Sequence, residues 1–310
     1  MSRSSIGFER WNARRGISSW SFQIFQKHNK ELTEMYISHI LGKQYSYKML
    51  KKENATLEDK SNKHFKNSDY PEVFDNIKQW SDKFNEFDNW VNLNCIMAIS
   101  ANLETYMATV IKLALESDIG ILFGASQKID GIEVIKKSTK YPFELDEKII
   151  SCTKGDWSAR ISSFEKIFGT SPIVLKENIS SLENIRKIRN DIGHAFGREI
   201  ESSRKHNTLT SLDAHRVKKE KVIKYLKLIF AITRAIDKQL MAHHIGEYQT
   251  LHFYHNLQIS LDNDDNHNKK VGNHAQILKI KLCEFGANRV SKIFCKELVE
   301  YYESLEVNKE

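Results

Sequence analysis

Proline and glycine are scarce in this chain, and their scarcity constrains its fold more than any other feature. There are 3 Pro and 13 Gly among 310 residues, against usual shares of about 5% and 7%. Folds with many tight turns, such as β-sandwiches and propellers, need these residues at their turns. Hydrophobic residues make up 40% of the chain, which is enough to build a core. We therefore expect a largely helical protein.

Apolar residues recur at helical intervals in several segments. In the clearest segment, intervals of 3, 4, 3, 4 and 3 residues give a narrow seam that faces another helix, formed by Ile96, Ile99, Leu103, Tyr106, Val110 and Leu113. The other predicted helices cover 18–50, a segment opened by Pro71 that runs to Phe87, 155–169, 178–197, 213–244 and 287–304. We expect these helices to form a bundle.

The pattern changes after residue 250. Two short runs alternate apolar and polar residues, with Leu257, Ile259 and Leu261 in the first and Leu278, Ile280 and Leu282 in the second. Because this alternation is typical of strands, and turn-forming residues separate the runs, it predicts a β-hairpin. We therefore predict a mainly α fold in three parts: an N-terminal helical segment with a charged linker (1–70), a helical bundle (71–245), and a small β-hairpin-plus-helix extension (246–310).

Several classes of protein are disfavoured by what the sequence lacks. No apolar run is long enough for a membrane span, and the first residues carry no apolar region that would indicate a secretory signal. The four cysteines form no CxxC pair, which predicts reduced thiols in a cytoplasmic protein. Glycine-rich phosphate loops and the HExxH and GxSxG motifs are also missing, which argues against nucleotide-hydrolysing motors, zinc peptidases and α/β-hydrolases.

Four histidines cluster late in the sequence, at His243, His244, His252 and His255. A metal site would need these side chains to face one another, with a carboxylate as a further ligand. The sequence favours a polar helix end instead, so we expect no metal and no other cofactor.

The segment from Ser181 to Arg198 combines residues that can carry chemistry. Four apolar residues fall within a sector of about 80° on an ideal helix: Ile185, Ile188, Ile192 and Phe196. We expect that sector to anchor the helix to the core. The adjoining face carries Arg186, Asn190, Gly193, His194 and Gly197, with Arg189 at its border. Since the two glycines have no side chain, another backbone or a ligand can approach this face closely.

These residue types are able to cleave RNA without a metal ion. Histidine exchanges protons near neutral pH, and arginine is a permanent cation suited to phosphate oxygens. A base that removes the proton of the ribose 2′-hydroxyl lets this oxygen attack the neighbouring phosphate, while a cation stabilises the developing charge. Asparagine can hold the imidazole or a hydroxyl by hydrogen bonds.

The spacing of Arg189 and His194 limits how they act together. Five residues correspond to about 140° around an ideal helix, so one chain is poorly placed to aim both side chains at one phosphate. Either the helix is distorted near Gly193, or two chains related by a twofold axis each supply one of the two side chains to a shared site. We favour the dimer because the glycines permit close contact.

The run from Arg189 to His194 resembles the Arg-Asn-x-x-x-His motif of the HEPN superfamily. The order of helices over residues 75–245 is also similar to that family's bundle. The resemblance implies a compact helical bundle, a symmetric homodimer, and a metal-independent endoribonuclease in which Arg189 and His194 are the catalytic pair and Asn190 is the polar support. Family toxins that are silenced by adenylylation carry Tyr where this chain has Phe196, so we do not expect that form of control.

Proteins that resemble this chain often act as toxins or antiphage effectors that cut RNA. The expected partners are therefore RNA, a second copy of the chain, and a regulatory or antitoxin protein, and the net charge of +7 is a mild bias towards polyanions. Arg186, Lys187 and Arg198 are candidates for RNA binding. The five tryptophans can stack on bases, although core packing is the favoured interpretation for each: Trp11, Trp20, Trp80, Trp90 and Trp157.

A structural interpretation stands beside each functional one. Arg189 can form a surface salt bridge with Glu183 or Asp191. It can also pair with Glu104 of the upstream helix or remain in solvent, and His194 can simply be a histidine at a helix end. The alternative function is a non-catalytic module of the same fold that dimerises or binds a partner.

Overall fold

The computed structural model describes residues 8–14, 16–66, 73–138, 142–195, 198, 215–262, 271–287 and 290–305. This part of the chain is mainly helical, as predicted, and contains 12 α-helices and no strand. They are α1 (Trp20–Lys52), α2 (Ser61–His64), α3 (Ile77–Ser117), α4 (Gly131–Lys137), α5 (Asp146–Thr153), α6 (Trp157–Phe168), α7 (Ile173–Glu177), α8 (Ile179–Ala195), α9 (Lys219–Leu240), α10 (Tyr248–Asp262), α11 (Val271–Phe285) and α12 (Lys292–Ser304). None of these described helices is both long and apolar enough to cross a membrane.

The chain divides into two units. The first unit contains residues 1–24, 105–177 and 232–310, and the second contains 25–104 and 178–231. Three of the boundaries lie within α1, α3 and α9, so each of these helices contributes residues to both units. The three-part domain organisation proposed above stays a prediction.

In the second unit, α1 and α3 are antiparallel, because their paired residue numbers rise along one helix as they fall along the other. The pairs are Phe25 with Asn102, Tyr36 with Asn92, His39 with Asp88, Lys43 with Asp88, and Tyr47 with Ser81. Helix α3 is continuous over 41 residues, where the sequence pattern indicated two helices. No Gly or Pro interrupts it, so nothing ends a helix there. Pro71 lies outside the described residues.

The buried residues of the second unit follow the predicted helical pattern. They include Ile96, Ile99 and Leu103 of α3, Leu182, Ile185 and Ile188 of α8, and Val222, Leu226 and Ile229 of α9. The charged segment after α1, which we predicted to be a solvated linker, is folded where the structure describes it. His64 of α2 lies 2.7 Å from a Glu53 oxygen and 3.0 Å from an Asp59 oxygen, so the charges of this segment pair with one another.

The predicted β-hairpin in the first unit is wrong, because both of its runs form α-helices, α10 and α11. The buried apolar residues there recur at intervals of three, four or seven positions, as on one side of a helix: Tyr248, Leu251, Tyr254 and Leu261 in α10, and Ala275, Leu278 and Leu282 in α11. Ile259 and Ile280, on which the alternation depended, are exposed. Leu257 and Leu261 are four residues apart, as are Leu278 and Leu282, and that interval suits a helix as well as a strand. The final predicted helix is present as α12.

Three of the four cysteines are buried, and none of the four forms a disulfide. Burial raises the pKa of Cys95 to about 12 and that of Cys152 and Cys295 to about 11. These thiols are therefore protonated at neutral pH and unreactive. Cys283 is exposed.

Candidate functional site

Helix α8 carries the three predicted catalytic residues, Arg189, Asn190 and His194, in its last two turns. Ile185 and Ile188 are buried, as predicted, and the buried side continues with the carboxylate of Asp191. Ile192 is only half-buried. Phe196 and Gly197, the last members of the two predicted faces, lie outside the described residues.

The guanidinium of Arg189 is held by two neighbours in the second unit. Its Nη1 donates a hydrogen bond of 3.1 Å to Asn190 Oδ1. Its Nη2 lies 3.8 Å from Glu104 Oε2 of α3, and the Arg189 side chain is 38% exposed. The Glu104 side chain is only 18% exposed, so this contact is a partly buried ion pair that is longer than a hydrogen bond. Asn190 therefore supports Arg189 rather than the imidazole or a hydroxyl.

His194 is exposed in the last turn of α8. Within the described part of the chain its side chain makes no hydrogen bond or ion pair. Beside it, a Cβ added to Gly193 would have no neighbour within 4 Å among the described residues, so with respect to these residues the surface is open to a ligand or a second chain. The helix continues through Gly193 to Ala195. Of the two alternatives for the spacing of Arg189 and His194, a distortion near Gly193 is not seen.

A second histidine near the motif was missed by the sequence analysis. Nε2 of His215 lies 2.8 Å from Oδ2 of Asp191, so this carboxylate pairs with a histidine and not with Arg189. The backbone that follows this histidine is fixed by α3, since Asn89 donates to the His215 carbonyl and accepts from the Val217 amide, both at 2.8 Å. Nothing in the sequence signals a contact between residues 24 positions apart.

The three predicted RNA-binding residues differ in their environment. Arg186 Nε lies 2.8 Å from Glu183 Oε2, and both side chains are about one third exposed. Lys187 is exposed and Arg198 is half-buried. The segment 178–231 that contains them has 12 Lys and Arg against 6 Asp and Glu, a net charge of +6. Almost all of the chain's positive surplus therefore lies in the segment that carries the motif.

The late histidines belong to the first unit and have other partners. His244 Nδ1 lies 2.9 Å from the buried Asp118 Oδ2, and His255 Nδ1 lies 2.7 Å from the Tyr302 hydroxyl. Burial lowers the pKa of His252 and His255, which favours their neutral forms. Among the residues that the structure describes, no group of three or more His, Cys, Asp or Glu side chains is placed to hold a metal ion.

Comparison with protein-family models, curated proteins and solved structures finds no match for this chain. The likeness to the HEPN superfamily therefore rests on the motif in α8 and on the order of the helices around it.

Proposed function

We propose that this chain is a metal-independent endoribonuclease of the HEPN type, which acts in the cytoplasm as a symmetric dimer and serves as a toxin or antiphage effector. One observation carries the proposal: a half-exposed arginine, held by Asn190 and weakly paired with Glu104, lies five residues before an exposed histidine without a partner in the described residues. A surface that only packed against protein would not need a cation and an imidazole in solvent.

In the proposed reaction, His194 takes the proton of a ribose 2′-hydroxyl. The 2′-oxygen then forms a bond to the adjacent phosphorus, and the bond from phosphorus to the 5′-oxygen breaks. Arg189 leaves Glu104 and stabilises the charge that develops on the phosphoryl oxygens. The departing 5′-oxygen takes a proton from water and the His194 imidazolium returns its proton to solvent, so the products are a 2′,3′-cyclic phosphate and a 5′-hydroxyl.

The regular shape of α8 supports the proposed dimer. Because the helix is regular through Gly193, Arg189 and His194 stay about 140° apart around its axis. A second α8, packed against the open surface at Gly193, brings the arginine of one copy towards the histidine of the other.

Cleavage of a defined RNA in the presence of a chelator tests this function. The wild-type chain is expected to produce ends that mass spectrometry identifies as 2′,3′-cyclic phosphates. Arg189→Ala is expected to lower the cleavage rate by about 10²–10³-fold, the usual effect of removing one group that stabilises a transition-state charge. Arg216→Ala removes the same charge from an exposed position of the second unit and is expected to retain most of the activity.

Cleavage that needs an added metal ion would contradict the proposal. RNA binding without cleavage would instead support the alternative, a non-catalytic module of the same fold.

A further inference from the structure

Four aromatic side chains on α3 stack in a row along one side of the helix. The ring centroids are 4.9 Å apart for Trp80 and Phe84, 6.3 Å for Phe84 and Phe87, and 5.9 Å for Phe87 and Trp90. The interplanar angles are 29°, 12° and 17°, so the rings are close to parallel. We call this set the aromatic row.

The aromatic row is covered by protein at one end and open at the other. Tyr47 of α1 packs against Trp80, with ring centroids 5.6 Å apart, and His39 of α1 packs edge-on against Phe87 at 5.5 Å. The exposed fractions of Phe87 and Trp90 are 47% and 51%. All five tryptophans lie in described residues, and Trp90 is the only exposed one. Among the described residues, Phe87 is the ring that contacts Trp90. Two adjacent large aromatic side chains in solvent indicate a binding surface.

The open end of the aromatic row is connected to the candidate site through α3. Asn89, the neighbour of Trp90, binds the backbone of His215, whose ring pairs with Asp191 in the motif. Trp90 and Glu104 are 14 residues apart, which places them about 40° apart around α3 and about 21 Å apart along it. Trp90 and the Glu104–Arg189 pair therefore share one side of α3.

We infer that Trp90, at the end of the aromatic row, stacks on an unpaired base of a single-stranded RNA whose backbone continues to Arg189. Aromatic rings bind bases of any sequence through their π-faces, and the net charge of +6 on residues 178–231 complements the phosphates. A duplex does not fit this surface, because its bases are stacked inside the helix. This inference deepens the proposed function, since it assigns the substrate class of the same site.

Fluorescence anisotropy tests the inference in a His194→Ala background, which prevents cleavage. The probe is a labelled, unstructured RNA of about 12 nucleotides, within the range of single-strand sites, and the comparison is the same strand in a blunt duplex. Trp90→Ala is expected to weaken single-strand binding about 10-fold, the usual scale of one lost stacking contact. Trp90→Phe should retain most of the affinity. Leu41→Ala, at an exposed apolar position of α1 in the same unit, should leave it unchanged.

Unchanged single-strand affinity in Trp90→Ala would overturn the inference, and so would an equal loss for the duplex. Loss of self-association in Trp90→Ala without RNA would also overturn it, because the open end of the aromatic row would then be a contact between two copies. If single-strand binding depends on Trp90 but the chain with His194 intact cleaves no RNA, the proposed activity fails and the stacking surface stands.

Discussion

Replacing His194 with alanine is expected to lower the rate of RNA cleavage by about 10²–10⁴-fold, the usual contribution of a general base, while leaving the fold intact. The side chain is exposed and makes no hydrogen bond or ion pair with the residues that the structure describes, and alanine is a strong helix former. Single-turnover rate constants for one defined RNA measure the effect, and the helical circular dichroism signal with its melting temperature measures the fold.

His28→Ala is the matched control, because His28 is an exposed histidine on α1 of the same unit. It should cleave at the wild-type rate. A wild-type rate in His194→Ala would remove His194 from the reaction. If His215→Ala were then inactive, the base would be the histidine that pairs with Asp191.

Replacing Arg10 with alanine is expected to lower the free energy of unfolding by about 3–5 kcal/mol, the usual effect of removing one partner of a buried ion pair. Arg10 is only 4% exposed and lies in the first unit. Its Nε is 3.0 Å from Asp130 Oδ2, its Nη1 donates to the Ile245 carbonyl at 2.8 Å, and its Nη2 donates to Ser117 Oγ at 2.8 Å. Alanine would leave the buried Asp130 carboxylate without its cation.

Urea unfolding followed by circular dichroism measures this loss. Arg10→Lys should also be destabilised, since an ammonium group lacks the planar fork that reaches all three groups. Lys27→Ala, at an exposed position of α1, should change the free energy by less than about 0.5 kcal/mol. If Arg10→Ala lowers the free energy of unfolding by less than about 1 kcal/mol, the buried ion pair contributes no more than an ion pair on the protein surface does.

Helical spacing in the sequence predicted most of the fold. The seam from Ile96 to Val110 and the long helix through Val222 and Leu240 are buried as expected, because an interval of three or four residues over many turns has no other regular interpretation. For α10 and α11 the helical spacing was missed, and the alternation of apolar and polar residues predicted strands instead. Runs of three alternating residues are too short to exclude a helix, and only the wider set that includes Tyr248 and Ala275 shows its period.

The sequence predicted only those parts of the candidate site whose residues lie close together in the chain. Arg189, Asn190 and His194 are close in sequence, and the pairing of Arg189 with Glu104 was one of the alternatives left open. The pair of Asp191 with His215 and that of Arg10 with Asp130 join residues 24 and 120 positions apart, and no local pattern specifies such contacts. The exposure of Trp90 was likewise missed, because composition favours burial for every tryptophan.

A subunit-mixing experiment tests most directly whether Arg189 and His194 from two copies act on one phosphate. Arg189→Ala and His194→Ala chains, each inactive alone, are co-expressed so that mixed dimers form, and native mass spectrometry verifies them. Random pairing makes about half of the dimers mixed. Each mixed dimer has two composite sites, of which one is intact, so about a quarter of the wild-type cleavage rate should return. Mixed dimers that are as inactive as either parent would contradict the account, because each chain would then have to supply both groups itself.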